Sequence, residues 1–228
     1  MNQSSHPSLN QPQGIAADGG HSNVELLEAR SNTSPQALAM DEFLDQVVSP
    51  PARTSALTYP YHRIAHWRSG DGTVVMIRPI RAADAGLQAD FLANLSGQSR
   101  YQRFLSGRGL LPGELRRLTD IDYRREMALI ATVWTGVGER QIGVTRYVRE
   151  EGGRADCAIV VDDRWQRRGL GEKLLRSLMA DAADAGVTAL TGIALSTNVA
   201  VLGLARKLGA KLQRDPDDAT VTNLALQL

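Results

Sequence analysis

One stretch of the chain combines glycines and basic residues at a spacing that suits an anion. An apolar run at residues 157–161 leads through a short polar segment into the loop QRRGLG at residues 166–171, and a helical pattern follows directly. The start of a helix offers unpaired N–H groups and about half a positive charge, and glycines let a phosphate approach the backbone. The stretch therefore predicts a phosphate-binding loop, with the charges of Arg167, Arg168 and Lys173 beside it.

Two other phosphate-binding loops do not fit this spacing. A P-loop requires Gly-Lys followed by Ser or Thr, whereas Lys173 stands two residues after Gly171 and is followed by Leu174. A dinucleotide fingerprint requires a third glycine at position 174, and its preceding strands belong to a parallel unit. Neither a nucleoside-triphosphate site nor a dinucleotide site is expected.

The hydrophobic pattern predicts the elements that hold this loop. Residues 73–80 are rich in β-branched side chains after an Asp-Gly turn and predict a first strand, and two or three helices are predicted between 81 and 120. Three strands joined by hairpin-length turns are predicted next, at residues 127–134, 141–148 and 155–161. The remaining elements are a long helix over 169–186, a strand from 187, a helix from 198 and short strands near 211–212 and 220–226.

This order predicts one mixed α/β domain over residues 73–228, with a mostly antiparallel central sheet flanked by helices. Residues 1–33 are dominated by polar side chains, glycine and proline, and we expect a disordered tail there. Residues 34–72 are expected to hold a small accessory helix, which begins at Ser34-Pro35, and a linker.

The composition excludes several classes of partner. A net charge of +1 offers no general attraction for nucleic acid, and no apolar run approaches the roughly 20 residues of a membrane-spanning helix. The single cysteine, Cys157, and the polar N-terminus predict a cytoplasmic protein. The chain has no Cys/His cluster and no spaced set of carboxylates, so no metal site is expected. A homo-oligomer is left open.

The pattern Gln166-x-x-Gly169-x-Gly171, between a strand and a long helix, resembles the pyrophosphate-binding loop of the GNAT superfamily of acetyltransferases. The order of predicted elements over residues 73–228 is also similar to that family. The resemblance implies acetyl-CoA as the co-substrate, and a splay between the fourth and fifth strands counted from residue 73. The residues it implies for acetyl-CoA binding are Ile159, Val160, Val161, Gln166, Arg167, Arg168, Gly169, Leu170, Gly171, Glu172, Lys173 and Asn198.

Three longer stretches restrict the resemblance to one group within this superfamily. VMIRPIRAADA at residues 75–85, SRYQRFL at 99–105 and DIDYRREMALIA at 120–131 are similar to the acetyltransferase domain of bacterial Pat-type protein lysine acetyltransferases. In such proteins the domain is often attached to a large acyl-CoA synthetase-like domain or a nucleotide-binding regulatory domain. Neither fits in the 72 residues before Thr73, so the resemblance implies a stand-alone version.

An amine with a pKa of about 10.4 must lose a proton before it can attack a thioester, so a general base is required. All four histidines precede residue 73, and a carboxylate is therefore expected. In Pat-like domains a glutamate on the fourth strand is thought to serve, and the matching residue is Asp156, whose shorter side chain would act through a water molecule. Glu126 is the second candidate for the general base. The alternatives are that Asp156 is a solvated strand residue and that Glu126 forms an ion pair with an arginine.

Two further positions bear on the mechanism. Many GNAT enzymes carry a tyrosine acid where this chain has Ala205, and Pat-like domains also lack it; a thiol with a pKa near 8.5 can leave without a dedicated acid. Cys157 is predicted to pack in the core, because the domain has no histidine that could activate it as a nucleophile.

The predicted function is transfer of the acetyl group of acetyl-CoA to a primary amine, with a protein lysine as the first candidate acceptor. One alternative is a non-catalytic acetyl-CoA sensor or interaction module, which the aspartate at position 156 favours. Another is an acetyltransferase that acts on a small amine, since the early helices would form the acceptor cleft. A sensor would bind acetyl-CoA but show no amine-dependent release of CoA.

Overall fold

A computed structural model describes residues 59–105 and 112–228 of the chain. The predicted tail and accessory helix lie outside these residues. The strands are β1 (Ala65–Arg68), β2 (Val74–Pro79), β3 (Glu126–Trp134), β4 (Glu139–Arg149), β5 (Arg154–Val161), β6 (Ala189–Leu195), β7 (Lys211–Arg214) and β8 (Val221–Gln227). The α-helices are α1 (Ala85–Ala93), α2 (Gly97–Phe104), α3 (Pro112–Thr119), α4 (Leu170–Asp184) and α5 (Val199–Lys207).

All eight strands form one sheet in the order β1-β2-β3-β4-β5-β6-β8-β7. Every neighbouring pair is antiparallel except β5 and β6, which run parallel. The predicted fold class, a mixed and mostly antiparallel sheet flanked by helices, is confirmed. None of the helices in residues 59–105 and 112–228 has the length and apolar character needed to cross a bilayer.

The sheet contains one strand ahead of residue 73, where the sequence predicts the domain to begin. β1 pairs with β2 so that Arg68 lies opposite Val74, and the hairpin closes through the N–H of Gly72, which donates to the carbonyl of Ser69. Four residues are too few for an alternating pattern to stand out in the sequence. The fourth and fifth strands counted from residue 73 are therefore β5 and β6.

Apolar side chains cover both faces of the sheet. On one face, the stripe Leu170, Leu174 and Leu178 of α4 is fully buried against residues such as Leu129 and Ile142. On the other face, α1 and α2 contribute a second cluster that packs on β3, β4 and β5, with the buried residues Phe91, Leu92, Phe104, Ile130, Val144 and Val160 among its members. Helices on both faces hold the central strands rigidly, and β5 is the strand that leads into the predicted loop.

β5 and β6 pair over three positions only, from Arg154 opposite Ala189 to Asp156 opposite Thr191. The carbonyl oxygen of Cys157 still points at β6, because a Cβ placed on Gly192 would lie 2.8 Å from it. Successive peptide groups of a strand point to opposite sides, so the N–H and C=O groups of Ile159 and Val161 point the same way as those of Cys157. Beyond Asp156 these groups have no partner on β6.

Candidate functional site

A cavity of about 530 Å³ opens where β5 and β6 separate. Its walls come from the second half of β5, the loop before α4, the facing residues of β6 and the first turns of α4 and α5. Ser99, Gln102 and Arg103 of α2 close one side. The predicted loop therefore lies at one end of a cavity that runs along the unpaired edge of β5.

The loop reaches α4 through a left-handed backbone. Gly169, the residue before the first turn of α4, has φ of +84°. Arg167 also adopts the left-handed backbone conformation, with φ of +58°. The left-handed region costs glycine little, and the sharp turn exposes the first N–H groups of the helix. Gly171 lines the cavity, and a Cβ there would lie 3.3 Å from a methyl of Leu204. The turn thus forms a narrow cradle of backbone donors, which suits a phosphate.

Gln166 lies in the cavity wall and ties the loop to β5. Its side-chain amide donates to the carbonyl oxygen of Val161 at 3.2 Å and to the hydroxyl of Ser99 at 3.2 Å. One bond reaches a carbonyl of β5 that has no partner on β6, and the other reaches α2. Gln166 therefore holds three elements of the cavity together.

Asp163 anchors α2 to the same loop. Its carboxylate accepts hydrogen bonds from the backbone N–H of Ser96, from the hydroxyl of Ser96 and from the hydroxyl of Ser99, at 2.7 to 2.9 Å. Ser96 also caps α2 by accepting from the N–H of Ser99. The sequence reasoning missed this network. A signal was available, because Ser99 opens one of the stretches that resemble Pat-type domains.

Three of the predicted acetyl-CoA contacts have side chains outside the cavity wall. Arg168 pairs with Asp71 of the β1–β2 turn at 2.7 Å and stacks over Trp165. Leu170 is fully buried in the core under α4. The Lys173 side chain is partly buried one turn into the helix and does not line the cavity. At Leu170 and Arg168 only the backbone can contribute to the loop.

The other predicted contacts lie in the cavity wall. Glu172 accepts from Lys207 at 2.6 Å and from Arg176 at 3.0 Å, so its charge is compensated and it joins α4 to α5. The buried side chain of Asn198 caps α5 by accepting from the N–H of Val201 at 3.2 Å. The remaining predicted contacts in the wall are Ile159, Val160, Val161, Gln166, Arg167, Gly169 and Gly171.

Asp156 lies at the edge of the cavity, at the last position where β5 pairs with β6. Its partner Thr191 and its neighbour Cys157 both line the cavity, and its carboxylate is 3.9 Å from a Cβ placed on Gly192. Burial and the nearby charge of Glu150 raise its pKa to about 7, although the Arg103 cation opposes the rise. A carboxylate with this pKa exchanges its proton near neutral pH, as a general base must.

Glu126 lies on the same sheet face, two strands away. The row Glu126, Val148 and Asp156 runs straight across β3, β4 and β5. Glu126 accepts a hydrogen bond from the guanidinium of Arg146 at 2.6 Å, and both side chains are nearly buried. Burial raises the pKa of Glu126, and the Arg146 cation opposes that rise. Neither carboxyl is itself part of the cavity wall, but Asp156 lies between two residues that are, whereas Glu126 is held in an ion pair.

Cys157 contacts the core below α4 and also borders the cavity. Burial and the carboxylate of Asp156 raise the pKa of its thiol to about 12, so the thiolate required of a nucleophile is scarce at neutral pH. Ala205 lines the cavity without a polar group. Among residues 59–105 and 112–228, no group of three His, Cys, Asp or Glu side chains could hold a metal ion.

Comparisons with known proteins agree with this geometry. The family model described as an acetyltransferase (GNAT) domain matches residues 75–211. The chain is 36% identical over 159 residues to the acetyltransferase PA5475 of Pseudomonas aeruginosa, a match that covers 68% of this chain and 86% of that protein.

Two further similarities involve Pat proteins. The chain is 27% identical over 150 residues to the acetyltransferase Pat of Mycolicibacterium smegmatis, which covers 65% of this chain but only 44% of Pat. The crystal structure of the GNAT domain of S. lividans PAT superposes with a TM-score of 0.68 at 27% identity, covering 75% of this chain and all of that domain.

Proposed function

The chain belongs to the acetyltransferase (GNAT) family, and from this premise we propose that it transfers the acetyl group of acetyl-CoA to a primary amine with Asp156 as the general base. The observation that carries the proposal is the cavity between β5 and β6. It runs from a cradle of backbone donors at the loop to Cys157 and Thr191, which flank Asp156, a carboxyl whose pKa is raised to about 7. An acyl-transfer enzyme needs these two groups at the two ends of a thioester substrate.

The residues of the cavity fit acetyl-CoA. The N–H groups of the loop and of the first turn of α4 suit the pyrophosphate, and Arg167 adds a full charge within the cavity wall. The pantetheine arm contains amides. The N–H and C=O groups of Ile159 and the N–H of Val161 have no partner on β6 and can bond them as a neighbouring strand would. This arrangement directs the thioester along β5 toward Asp156.

The reaction we propose is direct attack of the amine on the thioester carbonyl. Asp156 accepts the first ammonium proton, through a water molecule where its short side chain does not reach, and the nitrogen gives its second proton to solvent when the tetrahedral intermediate collapses. A backbone N–H on the unpaired edge of β5 then donates to the developing oxyanion. Because Ala205 provides no acid, CoA leaves as a thiolate and takes its proton from solvent.

Similarity to the Pat acetyltransferases supports a protein lysine as the acceptor, as do the three stretches at residues 75–85, 99–105 and 120–131. The α2 helix, which carries the second stretch, contributes Ser99, Gln102 and Arg103 to the cavity wall. A small amine is the second candidate acceptor for the same acetyl transfer. Rates measured with a panel of proteins and small amines distinguish the two acceptors.

The test measures release of free CoA from acetyl-CoA by the full chain, with a panel of bacterial proteins and small amines as acceptors. Asp156→Ala and Glu126→Ala are compared with the parent, and calorimetry measures acetyl-CoA binding by each protein. We expect turnover by the parent, and loss of turnover with retained binding for Asp156→Ala. Tight binding without amine-dependent release for every acceptor would instead identify a non-catalytic acetyl-CoA sensor.

A further inference from the structure

Arg103 is a charged residue of the cavity to which the proposed mechanism assigns no role. It lies in the last turn of α2 and lines the cavity together with Cys157 and Thr191, the two residues that flank the Asp156 position. The bonds from Asp163 and Gln166 tie α2 to the loop before α4. The backbone that carries Arg103 is therefore positioned by the same network that shapes the cavity.

Within the described part of the chain Arg103 has no counter-ion, which distinguishes it from the buried arginines Arg78 and Arg146. Arg78 pairs with Asp84 at 2.7 Å, and Arg146 pairs with Glu126 at 2.6 Å. Within residues 59–105 and 112–228, no carboxylate lies within 4.0 Å of the Arg103 guanidinium. Burial and the neighbouring Arg146 lower the pKa of Arg103 to about 10, which marks a cation in an unfavourable environment. The side chain is partly buried, its guanidinium lies over the Phe104 ring at 5.0 Å, and it lines the cavity, so an anion in the cavity can reach it.

Asp156 supplies part of the missing charge, since its field favours the cationic form of Arg103. The proposed reaction removes that support. When Asp156 accepts the proton of the amine it becomes neutral, and Arg103 is then a desolvated cation beside Arg146. An anion bound at Arg103 would compensate this charge most strongly in the transition state, where compensation raises the rate.

We propose that Arg103 is a specificity-determining residue that binds a carboxylate lying close to the reacting amine of the acceptor. This inference rests on the proposed function. The shared chemistry is an amine with a nearby carboxylate, and it has two sources. One is a protein lysine flanked by acidic residues, and the other is a free amino acid. The planar fork of a guanidinium matches a carboxylate with two parallel hydrogen bonds.

A different role for Arg103 would be to adjust the pKa of Asp156 without contacting the acceptor. The two roles differ in a measurable way. Adjustment of the base changes the rate with all acceptors by one factor and disappears at high pH, where Asp156 is ionised in every variant. Contact with the acceptor changes the ratio of rates between an acid-bearing acceptor and its neutral analogue, at any pH.

The experiment measures kcat/KM at pH 9 for matched acceptors. One pair is a peptide with glutamate on both sides of a single lysine and its glutamine counterpart. The other pair is alanine and its carboxamide, with each rate corrected for the ionisation of its amine. The parent is expected to prefer the acid-bearing member of a pair by about 10-fold or more, the range of a charge-assisted hydrogen bond. Preference within the peptide pair alone identifies a protein acceptor, and within the amino-acid pair alone a small one.

Arg103→Met should bring the ratio close to one, whereas Arg103→Lys should keep part of it. The matched control is Arg100→Met, which removes the same charge from an exposed position of the same helix and should keep the parent ratio. An equal rate for both members of each pair in the parent overturns the inference but leaves the proposed function standing. So does a full preference in Arg103→Met. Absence of turnover with every amine overturns both.

Discussion

Glu126 and Asp156 lie in one row across the sheet and on the same face, yet their surroundings differ in one decisive respect. Arg146 donates to Glu126 at 2.6 Å, whereas Asp156 has no ion-pair partner within the described residues and stands at the point where β5 leaves β6. Burial raises the pKa of both carboxyls, and in Asp156 the charge of Glu150 adds to the effect. A carboxylate becomes available for proton transfer when the fold leaves it near a cavity without a counter-ion.

Ion-pair partners also distinguish two adjacent arginines of the loop. Arg168 is held by Asp71 and Trp165 on the side of the β1–β2 turn, whereas Arg167 lines the cavity. Residue type does not distinguish the two arginines. Their side-chain partners do, so substitutions at these positions should differ in the size and kind of their effect.

Asp156→Asn should lower kcat/KM by about 100-fold to 10,000-fold, because an amide of the same shape cannot accept the proton. Acetyl-CoA affinity, measured by calorimetry, should remain that of the parent, since the substitution lies beyond the loop. Steady-state CoA release provides the rate. A variant that keeps near-parental activity would exclude Asp156 as the base and return Glu126 to consideration.

Glu126→Gln should affect stability more than rate. It leaves the nearly buried Arg146 cation without its counter-ion, at a cost of about 3 kcal/mol in the free energy of unfolding. Denaturant unfolding measures this loss. The control is the double variant Glu126→Gln with Arg146→Met, which removes the charge as well and should recover stability. If Glu126→Gln instead loses turnover with unchanged stability, the ion pair is not the main role of this carboxylate.

The pH dependence of kcat/KM should show an acid limb set by Asp156. Its ionised form is the active one and its pKa is raised to about 7, so the rate should rise with pH up to neutrality, by about tenfold per unit below it. Arg103 lowers this pKa, so Arg103→Met should move the limb to higher pH. Comparison of the two proteins with one acceptor cancels the ionisation of the amine. A limb that stays in place would indicate that another group titrates.

Arg167→Gln and Arg168→Gln are a matched pair for the loop. The first removes a charge from the cavity wall and should raise the dissociation constant for acetyl-CoA by about tenfold, the value of one charge-assisted hydrogen bond. The second removes an exposed ion pair with Asp71 and should change it little. Calorimetry distinguishes them. Equal losses would mean that the two arginines act together through the charge of the loop.

The sheet and helices follow closely from local patterns in the sequence. The strand predicted at 155–161 is β5, Arg154–Val161, and the helix predicted at 169–186 is α4, Leu170–Asp184. Period-2 and period-3.6 patterns, turn residues and helix caps are encoded within a few residues, so they can be recognised without tertiary information. β1 was not predicted from the sequence, because its four residues form a strand only through their pairing with β2.

The site followed from the sequence only in part. The glycine spacing identified the loop, because a left-handed turn and close approach of backbone to ligand require glycine itself. The role of Arg103 had no local signal, since an arginine near the end of a polar helix is ordinarily solvated. Its place in the cavity depends on how Asp163 and Gln166 orient α2, across more than 60 residues of chain.

The sequence alone determined the order of elements, the phosphate-type loop and the restriction of the base to carboxylates, since these depend on residue type and near neighbours. The tertiary structure alone decided which carboxylate is held in an ion pair, which one lies beside the cavity, and which arginines line it. That decision depends on burial and on partners 20 to 97 residues away, such as Arg146 for Glu126 and Asp71 for Arg168. Pairing and desolvation are properties of the folded arrangement, and they set whether a charge stabilises the fold or remains available for chemistry.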